Sequence, residues 1–191
     1  MNTEERSDRL IEAACAILNV VANHRLNIVV LNKALFYLDL VSLRDVARPV
    51  THSSYIAIQQ GPVVAKYPQR LIGQLETRGL AKQLSEWDGS KPIQLEKLPD
   101  RFEYLDSQAL TFASAVASNF ATMNSRQASD YSHGNPGWRL AWNDYRRTGR
   151  PVVIDMRIAM QQVIEDDPWM ETPPSEEAIF ADADRGIGEE W

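Results

Sequence analysis

Val29-Val-Leu-Asn-Lys-Ala-Leu-Phe-Tyr-Leu-Asp-Leu-Val-Ser-Leu-Arg-Asp-Val46 is the stretch on which the fold turns. Leu31, Leu35, Tyr37 and Leu38 recur at helical spacing, and Lys33, Asp39, Arg44 and Asp45 fall outside that apolar stripe. The spacing predicts a helix over 29–46, stopped at Arg48-Pro49 because proline disfavours helix in the residue before it. Upstream, residues 4–23 read as an amphipathic helix. Leu10, Ile11, Ala14, Ile17, Leu18 and Val21 are on one face, Glu4, Glu5, Arg6, Asp8 and Glu12 are on the other, and Asn23-His24 end it.

Downstream the pattern shortens. Tyr55-Ile-Ala-Ile58 is β-rich, and Gly61-Pro62 imposes a turn into a helix over 67–78 that Gly79 terminates. Residues 80–87 and 93–98 flank Asp88-Gly89-Ser90, a hairpin signal. Helix followed by hairpin is also the order of a winged-helix module, so that alternative stays open. Asp106 is suited to cap a helix over 109–123, Ser125 a shorter one to Tyr131, and Pro136 opens another through Trp142 and Tyr145. After the break at Thr148–Pro151, Val152-Val-Ile154 is a short strand or buried connector, and Asp155 caps a last helix to Ile164. The expected fold is mainly α. It is one compact helical domain, residues 1–164, with a short β hairpin or small sheet, followed by a flexible acidic arm, residues 165–191.

An apolar fraction of 44% over 191 residues is enough for one core. The single cysteine, Cys15, falls on the apolar stripe and reads as a buried structural thiol. Met1 to Arg9 is polar and mixed in charge, and no apolar run approaches the roughly 18 residues that cross a bilayer. A soluble, cytoplasmic protein is expected. The net charge of −6 is uneven: residues 165–191 carry ten acids and only Arg185, a net −9, which leaves +3 on residues 1–164. Such a split favours electrostatic partners.

Catalytic chemistry is sparse. There is no glycine-rich phosphate loop, no His-Glu-x-x-His and no Cys-x-x-Cys. His24, His52 and His133 are far apart and lack ligand spacing, so neither a metal nor another cofactor is expected. Asp166-Asp167 and Glu176-Glu177 read as solvated neighbours in a proline-bearing segment rather than as paired catalytic carboxylates. The expectation is a protein with no catalytic residues. Arg139, Arg146, Arg147 and Arg150, interleaved with Trp138, Trp142 and Tyr145, suit phosphate and base stacking. The simpler reading turns the tryptophans inward and the arginines to water, and nucleic acid is not the expected partner. Protein recognition is what remains. The partner-binding candidates are Ser53, Ser54, Tyr55, Gln59 and Gln60 around the β segment, with Asp166, Asp167, Trp169, Met170 and Phe180 of the arm. Trp87 stands beside a turn, and Trp169 and Trp191 lie in the arm, where no core is evident to bury them.

Three stretches in order resemble the Panacea domain of SocA-like antitoxins. They are Leu31-Asn-Lys33-Ala-Leu-Phe-Tyr37-Leu-Asp-Leu; Arg48-Pro49-Val-Thr with Tyr55-x-Ala57 and Gln60-Gly61-Pro62-Val63; and Ser132-His133-Gly-Asn-Pro136-Gly-Trp138-Arg-Leu-Ala-Trp142. Ala47 stands where the family usually has glycine, and Gln60 where an aromatic is common. The resemblance implies a cognate toxin as partner and, by analogy with SocA, an adaptor role toward the ClpXP protease. It leaves the homo-oligomeric state open. The motif residues have structural readings of their own: Gly61-Pro62 as a turn, His133 bonded to local backbone near Pro136, and Trp138 and Trp142 in the core. The rival reading is a DNA-binding regulator that uses the 79–98 wing and the arginines near Trp142.

Overall fold

The computed structural model describes residues 2–87 and 89–165. The expected arm therefore lies outside the described residues, apart from Glu165. Helix α1 spans Thr3–Val20, capped by the Asn2 side chain, and it ends where Asn23 and His24 take left-handed backbone angles. A short strand β1 (Arg25–Asn27) leads into α2 (Ile28–Val46), whose first turn is capped by Asn27. Ala47 closes α2 in the left-handed conformation, its N–H bonded to the Leu43 carbonyl. That geometry suits glycine best, which accounts for the glycine usual at this position in the resembling sequences.

Helix α2 is the axis of the fold, and 14 of its 19 residues are buried. It packs against α1 and against α4 (Ser107–Phe120), α5 (Ser125–His133), α8 (Gln161–Glu165) and strand β3 (Gly61–Val64). A helix surrounded in this way shows solvent little besides Val29 and its last turn, so the expectation that Lys33 and Asp39 lie outside the buried stripe is corrected: both are fully buried. Glu12 on α1 is corrected likewise. Only 7% exposed, its carboxylate accepts the backbone N–H groups of Glu103, Tyr104 and Leu105, at 2.8, 2.8 and 3.2 Å, and so pins the loop before α4. Five aromatic rings fill the middle of the core, with Phe36 against Tyr37 and Tyr55, and Tyr37 against Phe120 and Tyr131, at centroid separations of 5.1–5.3 Å.

The fold is mainly α with little β structure, as expected, and its strands form two small sheets beside the helices. Strand β2 (Tyr55–Ile58) pairs antiparallel with β3, Ile58 opposite Gly61 and Tyr55 opposite Val64. Gly61-Pro62 is thus the start of a strand and not a turn; Gln59-Gln60 make the turn. Segment 152–154 lies along the other edge of β2, with Ala57 N–H bonded to the Val152 carbonyl and Ile154 N–H to that of Tyr55. The second sheet has strand order β1-β5-β4, formed by β4 (Ala81–Gln83) and β5 (Pro92–Leu95) with β1 on the outer side. Strand β1 was not anticipated. A π-helical turn over Pro68–Ile72 and the short α3 (Gly73–Thr77) precede β4.

The remaining helices follow the expected caps closely. Asp106 caps α4, and Asn124, not Ser125, caps α5 in a reciprocal capping box with Gln127. Helix α6 (Pro136–Thr148) begins with proline behind the Asn135 cap and ends at left-handed Gly149. Asp155 caps α7 (Met156–Ala159), which continues into α8. Among the described residues no helix is long and apolar enough to cross a membrane.

Candidate functional site

The tip of the β2–β3 hairpin is held by side chains from three helices. Lys33 Nζ of α2 donates to the Pro62 carbonyl at 3.1 Å, and Ser129 Oγ of α5 donates to that of Gln60 at 3.0 Å. His133 Nε2, at the end of α5, lies 3.0 Å from the Gln59 carbonyl, and Trp138 Nε1 of α6 donates to that of Ile58 at 3.1 Å. Four carbonyls within five residues are therefore taken by groups distant in sequence. His133 was expected to bond local backbone near Pro136; instead it reaches across to Gln59 and stacks on Trp138 at 4.3 Å. Asn32 of α2 adds a fifth tie, its Oδ1 accepting from Val64 N–H at 3.0 Å.

Gly61 is what lets these elements close. Its φ is +101°, and a Cβ there would sit 2.3 Å from Ser132 Oγ and 2.8 Å from Lys33 Cε. Lys33 has no carboxylate partner among the described residues, and burial pushes its pKa down from 10.5 to about 7. Its amine acts as a hydrogen-bond donor to backbone, with 0% of the side chain exposed.

Gln59 and Gln60 project from the tip into solvent. A cleft of about 260 Å³ opens on one side, lined by Ile28, Val29, Ile58 and Tyr67 as well as Lys33 and Gln60. On the other side Arg126, Ser129 and His133 of α5 line a second depression with Gln59, and it shares Val29 and Gln60 with the first. The tip, the start of α2 and the start of α5 thus form one continuous face with an apolar centre and amide and guanidinium groups around it.

The other candidate residues scatter. Tyr55 is buried, not a surface contact as expected: its hydroxyl donates to Asp39 Oδ2 at 2.8 Å and to the Leu35 carbonyl at 2.9 Å. Asp39 also accepts from Thr51 N–H and Oγ1, and burial raises its pKa to about 6 against those hydrogen bonds. Ser54 is exposed at the far end of the hairpin, and Ser53 Oγ is buried there without a hydrogen-bond partner. Arg48 is exposed and pairs with Asp106 at 2.8 Å, beside half-buried Pro49, away from the tip. Val63 is buried in β3. Tyr37 is buried and donates to Gln162 Oε1 at 2.7 Å, a group that also accepts from Asn135, the cap in front of Pro136. Trp138 is buried, as expected, whereas Trp142 is half-buried and stacks between Trp138 and Tyr145. Asp166, Asp167, Trp169, Met170 and Phe180 lie outside the described residues. Ser129, Asn32 and Val29 were not anticipated; the near-unbroken apolar run around Asn32 and Lys33 was the available signal that both face inward.

The model of the family described as "Antitoxin SocA-like, Panacea domain" matches residues 31–139, from the first turn of α2 to the first turn of α6. The chain belongs to the SocA-like, Panacea-domain antitoxin family. No curated protein and no solved structure gives a match. The Panacea span contains Lys33, Gly61, Ser129, His133 and Trp138, so every side chain that grips the hairpin tip lies within it. Residues of all three resembling motifs, separate in sequence, meet at the backbone of one turn.

Three features bear on catalysis among the described residues. No group of three His, Cys, Asp or Glu side chains is placed to hold a metal ion. Cys15 is buried, and burial, with Glu12 nearby, pushes its thiol up to about 12. A further cleft gathers Arg9, Arg48, His52 and Tyr104, but Arg9 is bonded to Glu5 and the Tyr104 carbonyl, and Arg48 to Asp106.

Proposed function

We propose that this chain is the antitoxin of a toxin–antitoxin pair and neutralises a co-expressed toxin by direct, non-catalytic binding through the hairpin-tip face. The observation that carries this is the capture of the Ile58, Gln59, Gln60 and Pro62 carbonyls by Trp138, His133, Ser129 and Lys33. Side chains that fix the backbone leave the exposed Gln59 and Gln60 side chains as the variable element. A pre-ordered loop loses little entropy on binding, so more of its contact energy appears as affinity. A rigid frame with an exchangeable tip is also what one fold needs in order to serve different partners. Gln60, where an aromatic is common in resembling sequences, is such an exchange.

The test is co-expression with the product of the adjacent gene. Val29→Asp with Gln60→Arg should abolish rescue of growth and weaken co-purification by about tenfold or more, the range of a central interface change. Ala115→Arg, exposed on α4, should do neither. Full rescue by the double variant would remove the tip face from the reading. A protease-adaptor role belongs to the same proposal, and it requires the toxin's half-life to shorten on co-expression only in cells that contain ClpXP.

One observation favours the DNA-binding alternative. The element order α1-β1-α2, then α3-β4-β5, with sheet order β1-β5-β4, is that of a winged helix interrupted by the β2–β3 hairpin. Three of its cations are committed: Arg78 pairs with Asp8, Lys82 with Glu96 and Arg25 with Glu86. Phosphate binding favours a cationic protein, whereas this chain carries a net −6 and matches an antitoxin family over residues 31–139, so the toxin-binding reading is preferred.

A further inference from the structure

Helix α6 presents an arginine stripe with no carboxylate on it. Arg139, Asn143 and Arg146 recur at four and three along one exposed face, and Arg150 follows just past the Gly149 cap. Among the described residues the Arg139 side chain donates to the His133 carbonyl and no ion pair engages Arg146 or Arg150, whereas Arg147 and Arg157 are paired with Asp144 and Asp155. Beside the stripe runs the ring stack Trp138–Trp142–Tyr145, whose outer two members are half-buried, with centroids 5.9 and 5.1 Å apart. Guanidinium groups next to partly open aromatic edges suit an acidic segment that carries an aromatic side chain.

Such a segment begins at this very place. Glu165, the last described residue, lines a cleft together with Arg139. The next six residues are Asp166-Asp167-Pro168-Trp169-Met170-Glu171. We propose that residues 166–171 dock along α6 of the same chain, their carboxylates on Arg139, Arg146 and Arg150 and Trp169 against the outer rings of the stack. The lengths agree. From Arg139 to Arg146 is about 10 Å of helix at roughly 1.5 Å per residue. Six extended residues from Glu165 reach about 20 Å at roughly 3.3 Å each, which brings Glu171 within range of Arg146 and Arg150. Residues 166–191 carry nine acids and one base, while residues 1–165 carry a net positive charge, so the attraction has the right sign. The docked segment covers the surface that would otherwise attract nucleic acid phosphate, and a partner with a basic face competes with α6 for it.

Cross-linking in the full-length chain tests this without any toxin. Cys15 is buried and its thiol is pushed up to about 12, so introduced cysteines react alone. Asn143→Cys with Met170→Cys is compared with Ser118→Cys with Met170→Cys, Ser118 being exposed on α4. The 143–170 pair should be bridged by a short bismaleimide at least about tenfold faster at low ionic strength. That advantage should shrink several-fold in about 1 M salt, where screening is near complete. It should also shrink when Arg146→Glu and Arg150→Glu are added, with the far-ultraviolet circular dichroism spectrum reporting an intact fold. Equal rates for the two pairs, indifference to salt, a cross-linked dimer in place of the intramolecular product, or full protection of Asn143→Cys by a single-stranded oligonucleotide at physiological salt would each overturn the proposal.

Discussion

In the β2–β3 hairpin two residues, Gln59 and Gln60, join the strands, while in the β4–β5 hairpin eight residues, 84–91, do the same work. The short turn is gripped by Lys33, Ser129, His133 and Trp138, which lie 29, 69, 74 and 80 residues away from their partners. The long loop is held by its neighbours: Glu86 N–H bonds to the Ser90 carbonyl, Ser90 Oγ donates to Glu86 at 2.8 Å, and Arg25 pairs with Glu86 from the adjoining strand. One hairpin takes its shape from the tertiary structure and the other from local pairing. The first should tolerate least change; the second should be indifferent to much of what happens in the core.

The sharpest way to break that contrast is a single methyl group added to each region. Gly61 and Gly79 both have positive φ, +101° and +60°, but a Cβ at Gly79 meets nothing within 4 Å, whereas at Gly61 it strikes Ser132 and Lys33. Gly79→Ala should cost only backbone strain, about 1 kcal/mol. Gly61→Ala adds overpacking to strain and should cost on the order of 2–5 kcal/mol by urea denaturation. Equal losses at the two sites would mean that the tip is no more tightly held than the outer hairpin.

A gentler probe removes one grip and reads its charge. Lys33, held near 7 by burial, gives up its proton in the folded state well below its ordinary 10.5. Between those values the unfolded chain binds more protons, so stability rises with pH; the contribution is complete above about 10.5 and is lost as pH falls to about 7. Lys33→Met keeps the stem but loses the hydrogen bond to Pro62, which costs on the order of 1–3 kcal/mol. At pH 9 the variant should therefore be the weaker protein. Toward pH 7 its deficit should shrink by roughly 1 kcal/mol per unit, because the wild type alone must release a proton from this amine in order to fold. Asp39, raised to about 6 by burial, works in the opposite sense and in a lower window. Its folded carboxyl keeps a proton that the unfolded chain has released, so that contribution is lost as pH rises from about 4 through 6. A Lys33→Met deficit that stays constant from pH 7 to 9 would show that the amine is solvated after all.

Helix caps and breaks were legible because they are local chemistry: Asp106, Asp155, Pro136 and Gly149 do what their residue types favour. The orientation of polar residues on long helices was not. Glu12, Lys33 and Asp39 read as solvent-facing from periodicity alone, because a helical stripe records which face is most apolar and not whether the opposite face is covered. Helix α2 is covered by α4, α5 and β3, all of which come later in the chain. The tip was half legible. Gln59 and Gln60 are exposed as surface candidates should be, but Gly61-Pro62 looked like a turn since both residues favour one, and only the pairing of Ile58 with Gly61 shows where the reversal lies. The reach of His133 to Gln59 joins residues 74 apart, and no local pattern encodes it.

The smallest expected effect on stability is at the other tip. Trp87 is 99% exposed at the edge of the 84–91 loop, so Trp87→Ser removes no buried area and should shift stability by no more than about 0.5 kcal/mol. A large indole left in water is nevertheless a residue type that anchors interfaces. The second cleft edge of the hairpin face, along Asn27, Val29 and Ser125, also touches Gly89 to Lys91 of the same loop. If the toxin spans both, Trp87→Ser should weaken its binding by about tenfold while the melting curve stays in place, and the locally built hairpin would be the adaptable half of one interface whose rigid half is Gln59-Gln60. If binding is unchanged, the contact is confined to the gripped tip. The two hairpins then differ in function as they do in construction.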